Sequence, residues 1–145
     1  MIFSKICIAS DHAGYKLKEK IKDYLIKSDV PIIDLGPLSD KTVDYPDYAK
    51  KVSKRLILKK SDAGILVCGS GTGMAITANK FKGIRAAQCY NKINTILSRR
   101  HNNANIICIG SRIMKNKDVF SFINYFLNTK FEGGRHQKRV NKINI

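Results

Sequence analysis

The sequence predicts a single α/β domain: a Rossmann-like, doubly wound, five-stranded parallel sheet with helices on both faces. Two observations carry that prediction. Five short apolar runs, Ile6 to Ala9, Pro31 to Leu35, Gly64 to Cys68, Ile84 to Cys89 and Ile106 to Ile109, read as buried strands. Stretches with helical periodicity separate and follow them, and a strand returning through a helix to the next strand implies parallel pairing. With 145 residues and 43% hydrophobic content, the chain can close one core over residues 1–145 without disulfides or metals.

After the first strand, Leu17, Ile21, Tyr24 and Leu25 mark one helix face, and Lys16, Lys18, Lys20 and Lys22 occupy the other. The same periodicity runs through Tyr48 to Leu58, Met74 to Lys80, Lys92 to Arg100 and Asp118 to Leu127. From Phe131 the tail is polar and basic, with room for a further helix after Gly133-Gly134. Ligands of open α/β sheets bind beyond the carboxyl ends of the strands. That rule selects Ser10-Asp11-His12, Asp44-Tyr45, the run Cys68 to Gly73, and Gly110-Ser111-Arg112 as one rim of unusual chemistry.

Composition narrows the function classes. Met1 to Ser10 holds no long apolar stretch and no run approaches bilayer length, so a soluble cytoplasmic protein without a membrane partner is expected. The four cysteines, Cys7, Cys68, Cys89 and Cys108, form no CxxC pair and are expected as thiols, three of them within apolar runs. A formal charge of +16 suits an anionic ligand or a nucleic acid. The lysines are nevertheless spread along the chain and no basic face is studded with aromatics, so a solvated surface is the preferred reading and nucleic-acid binding the rival.

Glycine alternates through Gly69-Ser70-Gly71-Thr72-Gly73, which lets backbone amides approach an anion or oxyanion near the start of a helix. The run is neither a Walker A sequence nor GxGxxG, and a tight strand-to-helix turn explains it as well. Cys68 opens the run, where amides and a helix dipole favour a thiolate able to act as a base; a packed, inert thiol is the alternative. Asp11-His12 and Arg100-His101-Asn102 each place an imidazole among polar groups, suited to proton transfer near neutral pH, although backbone carbonyls could equally satisfy His101 at a helix end. Two histidines without an organised cysteine or carboxylate set make a poor metal site, so no metal is expected. Arg135 and Arg139 share a face if the tail is helical and could grip a phosphate, with His136 a bystander; a solvated tail is the other reading.

Together these residues resemble the ribose-5-phosphate isomerase type B group, the RpiB and LacA/LacB family, over nearly the whole chain. The resemblance rests on Ser10-Asp11-His12-Ala13-Gly14, Asp44-Tyr45-Pro46, Cys68 to Gly73, Ala78-Asn79-Lys80, Gly83-Ile84-Arg85, Ser98 to Asn102, Gly110-Ser111-Arg112 and Glu132 to His136, in that order. It implies interconversion of an aldose phosphate and its ketose through a cis-enediolate, with no metal and no other cofactor. By resemblance, Cys68 is the base and Gly69, Ser70, Gly71, Thr72 and Gly73 form the oxyanion cradle. His101, with Asp11, opens the sugar ring; Asn102 holds hydroxyls; and His12, Arg112, Arg135 and Arg139 surround the phosphate. Tyr45 lines the pocket or packs beside it.

Family members resemble homodimers, or dimers of such dimers, with sites shared between subunits, so His101 and Asn102 are expected against the partner's Cys68 loop. One branch replaces the cysteine by a glutamate just after the glycine loop; here Cys68 is present and Met74 stands at that point. Where many relatives carry threonine, this chain has Ser70. The helix-end histidine and the Gly-Gly-Arg-His tail favour ribose 5-phosphate as substrate, then allose 6-phosphate, over the galactose 6-phosphate branch.

Overall fold

Three strands with unbroken apolar sequence occupy the middle of the sheet because only there are both faces covered. In a computed structural model, which describes residues 1–143, these are β1 (Ile6–Ser10), β3 (Ala63–Cys68) and β5 (Ile106–Gly110), buried at every position. The shorter β2 (Ile32–Asp34) and β4 (Ala86–Gln88) flank them in the order β2-β1-β3-β5-β4, all parallel. Expected as buried runs of five or six residues, the two edge strands have three residues each and are only partly buried. An edge strand has one free side, and at β4 the Asn79 side chain pairs with both the N–H and the carbonyl of Ala86 (2.8 and 2.9 Å), fixing where pairing begins.

Helices α1 (Tyr15–Lys27), α4 (Lys92–Arg100) and α5 (Asn116–Asn128) lie on one side of the sheet, α2 (Tyr45–Ile57) and α3 (Thr72–Ala78) on the other. Leu17, Ile21 and Leu25 of α1 pack with Val119, Ile123 and Phe126 of α5 against Ile8, Ile65 and Ile107. Ala49, Val52 and Leu56 of α2 meet Met74 and Ala78 of α3 over Cys7, Leu66 and Cys108. Cys7, Cys89 and Cys108 are therefore core thiols, and burial pushes Cys7 and Cys89 up to about 11. A short α6 (Arg135–Asn141) follows the Gly133-Gly134 turn, both glycines having positive φ. None of the described helices is long and apolar enough to cross a membrane.

The lysine face of α1 is not uniformly solvated. Lys18 is fully buried, and its Nζ lies 2.6 Å from Asp34 Oδ2 and 2.8 Å from Glu19 Oε1; Lys22 reaches the same Asp34 oxygen at 2.6 Å. A buried ammonium requires such partners, and Asp34 at the end of β2 supplies the main one. Asp34 Oδ1 also accepts the Gly36 N–H, and the Gly36 carbonyl accepts the Ser10 N–H, so the network braces the end of β1.

Candidate active site

Parallel strands deliver their carboxyl ends to one rim, and β3 ends there at Cys68. Its carbonyl accepts the Ser111 N–H (2.8 Å), while the Arg112 N–H donates to the Gly69 carbonyl (3.0 Å), locking the glycine run to the turn after β5. Gly71, at φ +81°, reverses the chain into α3 and turns its N–H onto Cys68 Sγ at 3.1 Å. The Thr72 N–H is taken up by Ser70 Oγ (3.2 Å). Of the expected cradle, the Gly71 and Thr72 amides are thus engaged within the loop, and Gly73 lies in the first turn of α3, where N–H groups lack helical acceptors.

A cavity of about 340 Å³ opens beside this loop, lined by Asp11, Tyr45, Cys68, Gly69, Ser70, Gly73, Arg112 and Ile113. Cys68 is 4% exposed at its floor. Asp11 is also buried, one carboxylate oxygen accepting the Gly14 N–H at 2.9 Å. Tyr45, the first residue of α2 rather than part of a loop, lays its ring over Gly73, where a Cβ would come within 2.6 Å of it. Gly69 leaves similar room for the Arg112 guanidinium. His12 stands alongside, its Nδ1 within 3.1 Å of the Val43 carbonyl oxygen and 3.3 Å of its amide nitrogen. Thr72 is exposed and lines a neighbouring groove with Gln88.

His101, Asn102, Arg135 and Arg139 do not join this cavity. Helix α4 runs back against the strand direction, so His101 at its end reaches the opposite rim, with the length of β5, about 13 Å, in between. There the His101 ring stacks on His136 (centroids 4.2 Å, 8° between planes), and Glu132 Oε2 lies 3.8 Å from His101 Nε2 and 3.4 Å from His136 Nε2. Arg100 holds the other Glu132 oxygen at 2.9 Å, and the Arg100 carbonyl accepts the Glu132 N–H. Asn102, Arg135 and Arg139 are exposed around this cluster, the two arginines on the outer face of α6 and His136 and Val140 on its inner face.

His136, expected as a bystander, is buried within this cluster: burial, and then the positive charge of nearby groups, hold it below the usual histidine range. Its approach to Glu132 was hidden because Gly133 and Gly134, two of the three residues between them, break any helical reading of the spacing. Three further residues position the site: Asn79 and Arg99 lie within motifs that carry the resemblance but were given no role there, and Gln88 had no sequence signal. Gln88 Nε2 donates to the Ser70 carbonyl (2.9 Å). Asn79 anchors the strand that carries Gln88. Arg99, buried against Phe3 and Phe126, binds Asn103 Oδ1 at 3.0 Å and the carbonyls of Thr129 and Ala104, holding the loop after His101.

A model of the Ribose/Galactose Isomerase family matches residues 6–143. The chain belongs to that family. Ribose-5-phosphate isomerase B of Escherichia coli strain K12 is 41% identical over 139 residues, covering 96% of this chain and 93% of that protein. Among solved structures, a ribose 5-phosphate isomerase of Thermotoga maritima superposes with TM-score 0.95 at 48% identity, covering 97% of each chain. The Mycoplasma genitalium ribose-5-phosphate isomerase B, solved with bound ribulose-5-phosphate, gives 0.90 at 42% identity, covering 96% of this chain and 93% of its own. The chain is therefore an isomerase, and the five-stranded sheet is the fold of this family.

Proposed function

We propose that the chain interconverts ribose 5-phosphate and ribulose 5-phosphate, with Cys68 as the base. The observation that carries this reading is the thiol lining the rim cavity together with Arg112 and accepting the N–H of the glycine loop's Gly71. The thiolate takes the proton from C2 of the open-chain aldose, and the electron pair forms the C1–C2 double bond as the carbonyl oxygen O1 becomes anionic. The amides of Gly69, Ser70 and Gly73 lie where they can stabilise that oxygen. Transfer of the O2 proton to O1 and return of the thiol proton to C1 complete the ketose, so no external oxidant or reductant is needed.

Ribose 5-phosphate is mostly a closed ring, and its opening needs a proton acceptor at the anomeric hydroxyl and a donor at the ring oxygen. His101 is assigned that task, with Asn102 on the hydroxyls and His12, Arg112, Arg135 and Arg139 on the phosphate. Since His101 stands on the opposite rim from Cys68 of its own protomer, the reading requires a homodimer in which each site combines the Cys68 rim of one subunit with the His101 cluster of the other. In its favour, α3, β4 and α4 form the edge next to β5 and leave Ile76, Tyr90 and Ile93 more than half exposed (59%, 58% and 69%).

The test is turnover of ribose 5-phosphate by chelator-treated enzyme, beside allose 6-phosphate and galactose 6-phosphate. Cys68→Ala is expected to lower kcat by about 10²–10⁴-fold while sugar-phosphate binding, read by calorimetry, persists. Full activity in that variant rules out the proton-transfer role.

A further inference from the structure

We propose that His101, Glu132 and His136 form an inhibitory binding site for a divalent transition metal, Zn²⁺ foremost. The site stands on geometry; only its inhibitory effect rests on the role given above to His101. One ligand atom from each of the three residues lies within 4.8 Å of the other two. In a tetrahedral zinc site with bonds of 2.0–2.2 Å, neighbouring ligand atoms are about 3.4 Å apart. The His136–Glu132 separation is 3.4 Å and the His101–Glu132 separation 3.8 Å, so the carboxylate already stands at ligand spacing from both rings.

An independent observation points into the same space. His136 is 6% exposed, and its Nε2 is fully buried and makes no hydrogen bond, its 3.4 Å approach to Glu132 Oε2 being an ion contact alone. Burying a polar nitrogen unpaired costs free energy that a ligand would recover. Glu132 is prepared for the part: Arg100 holds Oε1, which orients Oε2 toward the imidazoles, the arrangement by which outer groups aim metal ligands. Imidazoles and a carboxylate suit Zn²⁺ better than Mg²⁺ or Ca²⁺, and three protein ligands leave a fourth position open.

Binding requires one adjustment. An ion lying in the planes of both rings cannot be reached while they are stacked at 8°, so they must splay. His101, 36% exposed at the end of α4, has room to swing, whereas His136 is buried on the inner face of α6. With its nitrogen committed to the ion, His101 can neither accept nor donate the ring-opening proton, so Zn²⁺ should inhibit turnover of the closed-ring substrate.

The experiment titrates the chelator-treated full chain with Co²⁺, read by its visible d–d absorption, with Zn²⁺ as competitor. One ion per chain, displaced by Zn²⁺, is expected. Glu132→Gln alters an exposed side chain and leaves the core intact; it and His136→Asn should each weaken binding at least about tenfold, whereas Cys68→Ala should bind as wild type does. Unchanged affinity in Glu132→Gln, or loss of binding in Cys68→Ala, would place the ion elsewhere and overturn the site. In parallel, Zn²⁺ should slow ribose 5-phosphate turnover by wild type over the concentration range in which it displaces Co²⁺. Occupancy without slowing would overturn the inhibitory effect and point to the assignment of His101 rather than to the site, a distinction the binding readout makes possible.

Discussion

The two rims of the sheet are built by different means. The Cys68 rim is made of strand ends and backbone: Gly71 turns its amide onto the thiol, Arg112 closes onto Gly69, and Asp11 is tied to Gly14. The His101 rim is made of side chains from the end of α4 and from α6, with Glu132 between two rings and Asn102, Arg135 and Arg139 exposed. The first rim has a shaped cavity with His12 and one exposed arginine beside it; the second has two stacked imidazoles and two exposed arginines. Under the function proposed above, the two rims supply complementary halves of a site that meet across a two-fold axis.

The largest effect should come from separating those halves. His101→Asn is expected to lower turnover of ribose 5-phosphate by about 10²–10⁴-fold. Ribulose 5-phosphate cannot form the corresponding ring, so this variant should still exchange its C1 proton with solvent deuterium, whereas Cys68→Ala should not. Mixing the two inactive variants and allowing subunits to exchange gives heterodimers with one intact site each, so about a quarter of wild-type activity should return. No recovery after verified exchange would place both residues in one protomer's site and break the comparison.

The difference between the rims also explains what could be read from sequence. Strand ends were legible because β1, β3 and β5 are apolar runs terminated by polar or glycine residues, and the C-terminal-rim rule then gathers Asp11, Tyr45, Cys68 and Arg112. The edge strands were overestimated because an apolar residue such as Ile84, in the loop before β4, is buried in the core as readily as one within a strand. The second rim was obscure because its organisation depends on a chain reversal: Gly133 and Gly134 fold α6 back, so Glu132 and His136 meet without sharing a helix. Lys18 misled for a related reason, since its partner Asp34 lies in another element and nothing local distinguishes it from Lys16 or Lys20.

That buried pair tests whether the first rim owes its shape to its foundations. Asp34→Asn leaves the Lys18 ammonium with Glu19 alone, and should cost about 3–5 kcal/mol, measured by urea unfolding. Burial raises the Asp34 carboxyl, but hydrogen bonds from Lys18, Lys22 and the Gly36 amide outweigh it and hold the group below the ordinary carboxylate range; Glu19 is lowered by the same lysines. A depressed carboxylate stabilises fully above its unfolded value, about 4, and loses that contribution as pH falls through its folded value. Wild type should therefore weaken from about pH 4 downward, and Asp34→Asn should show a flatter acid limb. Equal acid limbs would mean that other carboxylates dominate.

The smallest of these effects probes the cradle without touching a functional group. A Cβ on Gly110 would lie 2.6 Å from the Ser70 carbonyl oxygen, which Gln88 Nε2 already holds at 2.9 Å. Gly110 cannot retreat, because it is paired in register with Cys68 in the middle of the sheet. The glycine loop must move instead, taking with it the Gly71 amide that sits on the thiol and the amides assigned to the enediolate oxygen. A displacement of about 1 Å in a positioned group can cost 10²-fold in rate, so Gly110→Ala should lower kcat by about that factor while KM changes less, since of the four residues assigned to the phosphate only Arg112 is tied to the loop, and His12, Arg135 and Arg139 are not. A variant that loses KM and kcat together would show that the loop binds substrate as much as it stabilises the enediolate. In that case the division of labour between the rims would be less sharp than their construction suggests.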